Sequence, residues 1–159
     1  ASFSLVAMLP AESQCDNSEV AKSSAETCFE APPRVTGDEL NTSIIRYVYK
    51  SNSSKCESEL VRPTDKNVYE TLHSCVTACR TEQGAPMCAG VVGYNCTTKG
   101  DQEECYDAYY FNVELNQCIE YRANITGRYE EYNTFFRRDT CEKDCLGFTK
   151  KDIQPKNQS

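Results

Sequence analysis

Ten of the chain's eleven cysteines fall into two similar sets, and each set ends in Cys-x-x-x-Cys: Cys75 with Cys79, and Cys141 with Cys145. Cysteines four apart on a helix share one face, so each pair can fasten a short helix to two other parts of a small domain. The residues ahead of each pair repeat as well. Tyr47-Val48-Tyr49 precedes Cys56 at the distance at which Tyr109-Tyr110-Phe111 precedes Cys118. Asn67-x-Tyr69 precedes Cys75 at the distance at which Asn133-x-Phe135 precedes Cys141. One kind of unit therefore occurs twice in a chain of 159 residues.

A unit of roughly 60 residues buries too little apolar surface to be secure on its core alone and depends on staples. The cysteines supply them as disulfides. A zinc site is disfavoured, because there is one histidine, His73, and no paired Cys-x-x-Cys knuckle. Disulfides at this density imply an oxidising compartment, so the protein is read as secreted and extracellular, with no metal and no cofactor. The net charge of −7 is shared by both halves and argues against nucleic acid or an anionic membrane surface as a partner. Basic protein surfaces suit it better, and the acidic runs Glu103-Glu104 and Glu130-Glu131 read as solvated surface. No stretch is long and apolar enough for membrane insertion. Nor does the chain read as an enzyme: it has no recognisable nucleophile motif and no glycine-rich phosphate loop. His73 lies two residues before Cys75 on an expected helix, where it reads as a surface or packing residue.

Residues 1–13 hold a short apolar core followed by small-x-small at Ala11 and Ser13. They read as a signal-peptide remnant, the alternative being an apolar N-terminal arm. Residues 14–27 form an N-terminal segment, 28–79 the first unit, 80–87 a linker carrying Gly84 and Pro86, 88–145 the second unit, and 146–159 a polar tail. Residues 44–49 are β-branched and aromatic, a strand signal. Residues 50–54 read as a turn, and Cys56 opens the return strand. Residues 108–112 repeat the strand in the second unit, with a turn near 114–116. Thr71 is a candidate N-cap for the first helix, whereas Arg137 holds the matching place in the second. The expected fold is small, disulfide-rich and α+β: a twisted β-hairpin plus a C-terminal helix, twice over.

Cys28-Phe29-Glu30-Ala31-Pro32-Pro33, then Ile44-Ile45-Arg46-Tyr47-Val48-Tyr49, Cys56, Asn67, Tyr69, Cys75 and Cys79 closely resemble a Kunitz domain, the pancreatic trypsin inhibitor type. The second unit is similar through Tyr109-Tyr110-Phe111-Asn112, Cys118, Asn133, Phe135, Cys141 and Cys145. The resemblance covers about two-thirds of the chain, is specific in hairpin and helix, and is poor across 89–107. Tandem, divergent Kunitz domains with missing cysteines are most similar to salivary proteins of blood-feeding ticks. The family's pairing implies Cys28–Cys79 and Cys56–Cys75 in the first unit, and Cys88–Cys145 and Cys118–Cys141 in the second, with Cys96–Cys105 pairing locally. In the first unit the family's second and fourth cysteines are both absent, Leu40 standing where the second would fall. The fourth is missing from the second unit as well. Cys15 is left over, as a free thiol, as an inter-chain bridge making a disulfide-linked dimer, or as a partner of Cys96 or Cys105.

The resemblance implies serine protease inhibition, in which a rigid loop inserts into the enzyme as a substrate would. The loop residues fall at Leu40, Asn41 and Thr42 in the first unit, with Asn41 in the specificity position, and at Tyr106 in the second. The missing second–fourth disulfide is the one that tethers this loop. Ordering an untethered loop costs roughly 1–2 kcal/mol per residue, on the order of 5 kcal/mol for a contact loop, or three to four decades of affinity. Asn41-Thr42-Ser43 is also an N-glycosylation sequon, as are those at Asn52, Asn95, Asn124 and Asn157, and a glycan on Asn41 would block insertion. The expectation is a secreted inhibitor-like, anti-haemostatic or host-modulating protein. Its partner would be a host extracellular protein, a serine protease, met through non-standard contacts such as an N-terminal arm and an acidic second unit. The alternative is a non-inhibitory ligand of a host channel, receptor or immune protein.

Overall fold

The computed structural model describes residue 28 and residues 30–96, 105–124 and 132–155. The readings of residues 1–27 with Cys15, of the two acidic runs and of Asn157 lie outside the described residues. What is described is a small disulfide-rich α+β structure built around two antiparallel hairpins, each followed by a short helix.

A 3-10 helix, Gly37–Thr42, leads into β1 (Ile44–Lys50), which pairs with β2 (Lys55–Val61) across the tight turn 51–54. Ser54 closes that turn at a positive φ of 54°. The middle of β1 is buried on both faces, with Tyr47 6% and Val48 1% exposed, which is why the strand reads as an apolar run rather than an alternation. Helix α1 (Leu72–Cys79) starts at Thr71 with a full capping box: Thr71 Oγ1 accepts from the Ser74 amide at 3.1 Å, and Ser74 Oγ accepts from the Thr71 amide. It ends on Arg80 in the left-handed conformation.

The second unit repeats this plan. β4 (Cys105–Asn112) and β5 (Gln117–Asn124) pair across the turn 113–116. Asn112 Oδ1 holds that turn by accepting from the amides of Glu114 and Leu115. A short strand β3 (Tyr94–Asn95) adds to the far edge of β5, giving the order β3-β5-β4. It lies in the part of the chain where the sequence is least regular. Helix α2 (Arg138–Cys145) has no side-chain N-cap; Arg137 instead forks onto Asp139 in its first turn.

The repeated aromatic motifs do the same job twice. Tyr47 and Tyr69 exchange two backbone hydrogen bonds, at 2.9 and 2.8 Å, and Tyr109 and Phe135 exchange two at 2.7 Å. The segment before each helix is thus stitched to the outer edge of its hairpin, which sets the helix across the strands. Five disulfides then fix the arrangement: Cys28–Cys79, Cys56–Cys75, Cys88–Cys145, Cys96–Cys105 and Cys118–Cys141. Closing a loop with a sequence separation of 51, as Cys28–Cys79 does, removes about 4 kcal/mol of chain entropy from the unfolded state.

The two units share packing. Leu72 and Val76 of α1 touch both apolar clusters, one around Tyr47, Cys56 and Cys75, the other around Phe111, Phe135 and Phe148. Residues 84–88 belong to that packing: Ala85 and Cys88 are buried, and the Ala85 amide donates to the Ile153 carbonyl at 2.7 Å. Gly84 lies so close beneath the chain that an added Cβ would stand 2.5 Å from the Ile153 carbonyl oxygen, and its φ is +62°. The polar-tail reading of residues 146–159 is corrected here for the part described. Phe148 is 1% and Ile153 3% exposed, because a turn held by Thr149 and Asp152 folds the chain back over residues 84–85. His73 packs edge-on against Phe148, ring centroids 4.9 Å apart.

Candidate functional site

The loop residues named from the resemblance lie on two separate elements. Leu40, Asn41 and Thr42 form the last turn of the 3-10 helix Gly37–Thr42, which buries none of its residues. Asn41 is exposed and Leu40 is 48% exposed. The helix closes on itself: the Leu40 carbonyl accepts from the Ser43 amide at 3.3 Å and from Ser43 Oγ at 2.8 Å, and the Glu39 carbonyl accepts from Thr42 Oγ1 at 3.2 Å. A segment coiled in this way does not lie extended across a protease cleft unless it unwinds.

The 3-10 helix is held against the chain beyond β2. Arg62 Nε donates to Glu39 Oε1 at 2.8 Å and its Nη2 to Glu39 Oε2 at 2.7 Å, a bidentate fork. Arg62 Nη1 reaches the Pro33 carbonyl at 3.3 Å, and the Arg62 amide is fixed by Asp65 Oδ2 at 2.9 Å. The hydrogen bond from Arg62 holds the Glu39 carboxyl below the usual carboxylate range, and the same bond raises Arg62. Glu39 adjoins Leu40 in the 3-10 helix, and Arg62 lies between Cys56 and Cys75. An ion pair thus joins these two segments, which no disulfide joins among the described residues. Sequence reasoning did not reach it, since two exposed charges 23 residues apart carry no periodic signal.

Beside this helix is a shallow cleft of about 290 Å3 lined by Arg34, Val35, Leu40, Ile45, Glu59 and Leu60. Ile45 and Leu60 are a cross-strand pair and stand 57% and 43% exposed. With Leu40 they form an apolar strip on the outer face of the first hairpin.

Tyr106 sits elsewhere, as the second residue of β4, paired with Ala123. Its ring is 46% exposed and packs edge-on to Phe136 with centroids 6.4 Å apart. The adjoining Cys105 is tied to Cys96. Here too the backbone is engaged within a sheet.

The sequon residues differ in access. Asn41 and Asn52 are exposed, Asn52 on the hairpin tip, and Asn95 is exposed on β3. Asn124 is half-buried at the end of β5, and its side-chain oxygen is buried with no hydrogen-bond partner among the described residues. The sulfurs of Cys56, Cys75 and Cys79 lie within 4.8 Å of one another. All three are in disulfides, so the cluster offers no thiolate to a metal. No helix among the described residues is long and apolar enough to cross a membrane.

No family model matches the chain, and no curated protein matches it. Among solved structures it is similar to a chain in the complex between SmCI and human carboxypeptidase A4. The identity is 21% over 76% of this chain and 70% of that chain, with a TM-score of 0.29.

Proposed function

We propose that this chain is a secreted, Kunitz-type serine protease inhibitor-like protein that meets an extracellular host enzyme through contacts other than a substrate-like loop. The observation that carries the second half of this reading is the closed 3-10 helix at Leu40–Asn41–Thr42, with its Leu40 carbonyl already bonded to Ser43. Substrate-like insertion would first have to break those bonds and the Arg62 fork. The family label rests on the sequence resemblance. Five disulfides in a chain of this size support an extracellular setting.

The test is a titration of trypsin, chymotrypsin, elastase, thrombin and factor Xa with the glycosylated protein, beside Asn41→Lys. Lysine at the specificity position of an intact reactive loop would make a nanomolar trypsin inhibitor. Under the proposed reading, Asn41→Lys leaves trypsin essentially uninhibited, while inhibition of the true target is unchanged by it. Tight trypsin inhibition by the variant would show that the 3-10 helix yields readily and would sink the reading.

One feature favours a second reading, a non-inhibitory ligand of a host channel, receptor or immune protein. Leu40, Ile45 and Leu60 put an apolar strip on the same face as the candidate loop. Flat curves for all five enzymes, with Ile45→Asp abolishing capture of a non-protease host protein, would select it.

A further inference from the structure

We propose that the cleft at the junction of the two units binds a small organic cation, an ammonium or amidinium group on a compact apolar body, with Asp144 as its counter-ion. The cleft measures about 310 Å3 and is lined by Tyr47, Lys55, Leu72, Ala85, Met87 and Asp144 among others. That volume is at the lower end of small-molecule sites, which run from roughly 300 to 1,000 Å3. Its walls come from β1, β2, α1 and the stretch 84–88, and α2 supplies the carboxylate. The site therefore exists only where both units pack together.

Asp144 differs from Glu39 and Asp139 in what it meets. Glu39 and Asp139 are exposed, and each is held by an arginine fork. Asp144 is half-buried, and the burial it has pushes its carboxyl up to about 6. Its partner is a neutral one, the Tyr47 hydroxyl, which donates to Oδ1. No ion pair joins Asp144 to a lysine or arginine among the described residues. A carboxylate accepts several hydrogen bonds, so capacity remains for a donor arriving through the cleft. Removing a carboxylate from water without a cation is costly, and a charged, hydrogen-bonded partner offsets that cost. Leu72, Ala85 and Met87 supply apolar wall for the body of the ligand. The ionisable groups lining the cleft are Tyr47, Asp144 and Lys55, and Lys55 is exposed. A carboxylate at one end and apolar wall beside it suit a cation with an apolar body.

The experiment titrates 15N-labelled full-length protein near neutral pH with phenethylammonium and, separately, with 2-phenylethanol, its neutral isostere. The ammonium should give saturable shifts at the Leu72, Ala85 and Met87 amides. The alcohol should bind at least about tenfold more weakly, the factor a charge-assisted hydrogen bond supplies. Asp144→Asn, which keeps the shape and the acceptor for Tyr47, should weaken the ammonium by the same factor. Equal binding of ammonium and alcohol overturns the proposal, as does undiminished binding to a folded Asp144→Asn. Shifts that do not saturate, or that centre outside these amides, overturn it as well. Should Asp144→Asn fail to fold, the comparison of the two probes on the native protein decides.

Discussion

Asn133 shows how a residue can be legible as a pattern while its work is not. The spacing Asn-x-aromatic before each helix marks a repeat, and only the structure shows what the side chain does. Asn133 is 3% exposed, and its amide accepts from the Phe111 amide and donates to the carbonyls of Phe111 and Cys88, at 2.8, 2.8 and 3.0 Å. It ties β4 to the 3-10 helix Pro86–Ala89 with no strand pairing between them. Asn133→Ala leaves these backbone groups buried without partners, which costs roughly 3 kcal/mol or more. Urea unfolding should show a matching drop in midpoint. Asn124 presents the opposite case. Its sequon reads the same as that at Asn52, but its side-chain oxygen is buried where Asn52 is exposed. Peptide mass spectrometry after enzymatic deglycosylation in heavy-oxygen water should label Asn52, which is exposed on the hairpin tip. Sequons carry no information on burial, which is why the sequence left all of them open.

At the scale of elements, the hairpins and helices were the most legible part, because β-branched and aromatic runs and the i, i+4 cysteine pairs are local signals. Thr71 and Arg137 show the limit. The capping box at Thr71 follows from a short polar residue at the right place, while α2 begins without a side-chain cap and sets Asp139 in its first turn instead. The 3-10 helix Gly37–Thr42 had no such signal. Its coil depends on the Ser43 bonds to Leu40 and on Glu39 meeting Arg62 across 23 residues. Both charges are exposed, so the fork adds little to global stability, and its effect belongs to the local ordering of this one element. Arg62→Ala should speed hydrogen exchange at the Ser43 amide, whose bond closes the helix, while leaving the thermal midpoint nearly unchanged. Unchanged exchange at Ser43 would mean that the helix holds without the fork. β3 escaped notice because two residues are too few to show a period.

Across the whole molecule, the cysteine spacing gave two units but nothing of how they meet. Beside Leu72 and Val76 of α1, the contact is made by residues with no periodicity to reveal them: Gly84 and Ala85 in a stretch that reads as linker, and Phe148 and Ile153 in one that reads as tail. Its polar centre is Asp144 on α2 accepting from Tyr47 on β1, and that placement makes the joint sensitive to pH. Burial raises the Asp144 carboxyl from 3.8 to about 6, so between those values the folded protein holds a proton that the unfolded chain releases. Stability must then fall as pH rises through that window. The contribution is fully present below about pH 4, is lost by the time pH has passed through about 6, and amounts to at most about 3 kcal/mol. Glu39 and Asp139 act with the opposite sign and in a lower window. Hydrogen bonds from Arg62 and Arg137 hold them down, so their stabilisation is present above the ordinary carboxylate range and lost on acidification below it. Urea midpoints measured from about pH 4 to about pH 7 should therefore decline for the native chain, and Asp144→Asn, which has no proton to release, should flatten the decline. A native profile that rises across the same interval would mean that the half-buried carboxylate is stabilised by the Tyr47 hydroxyl more than burial penalises it. The joint between the units would then hold best with Asp144 ionised.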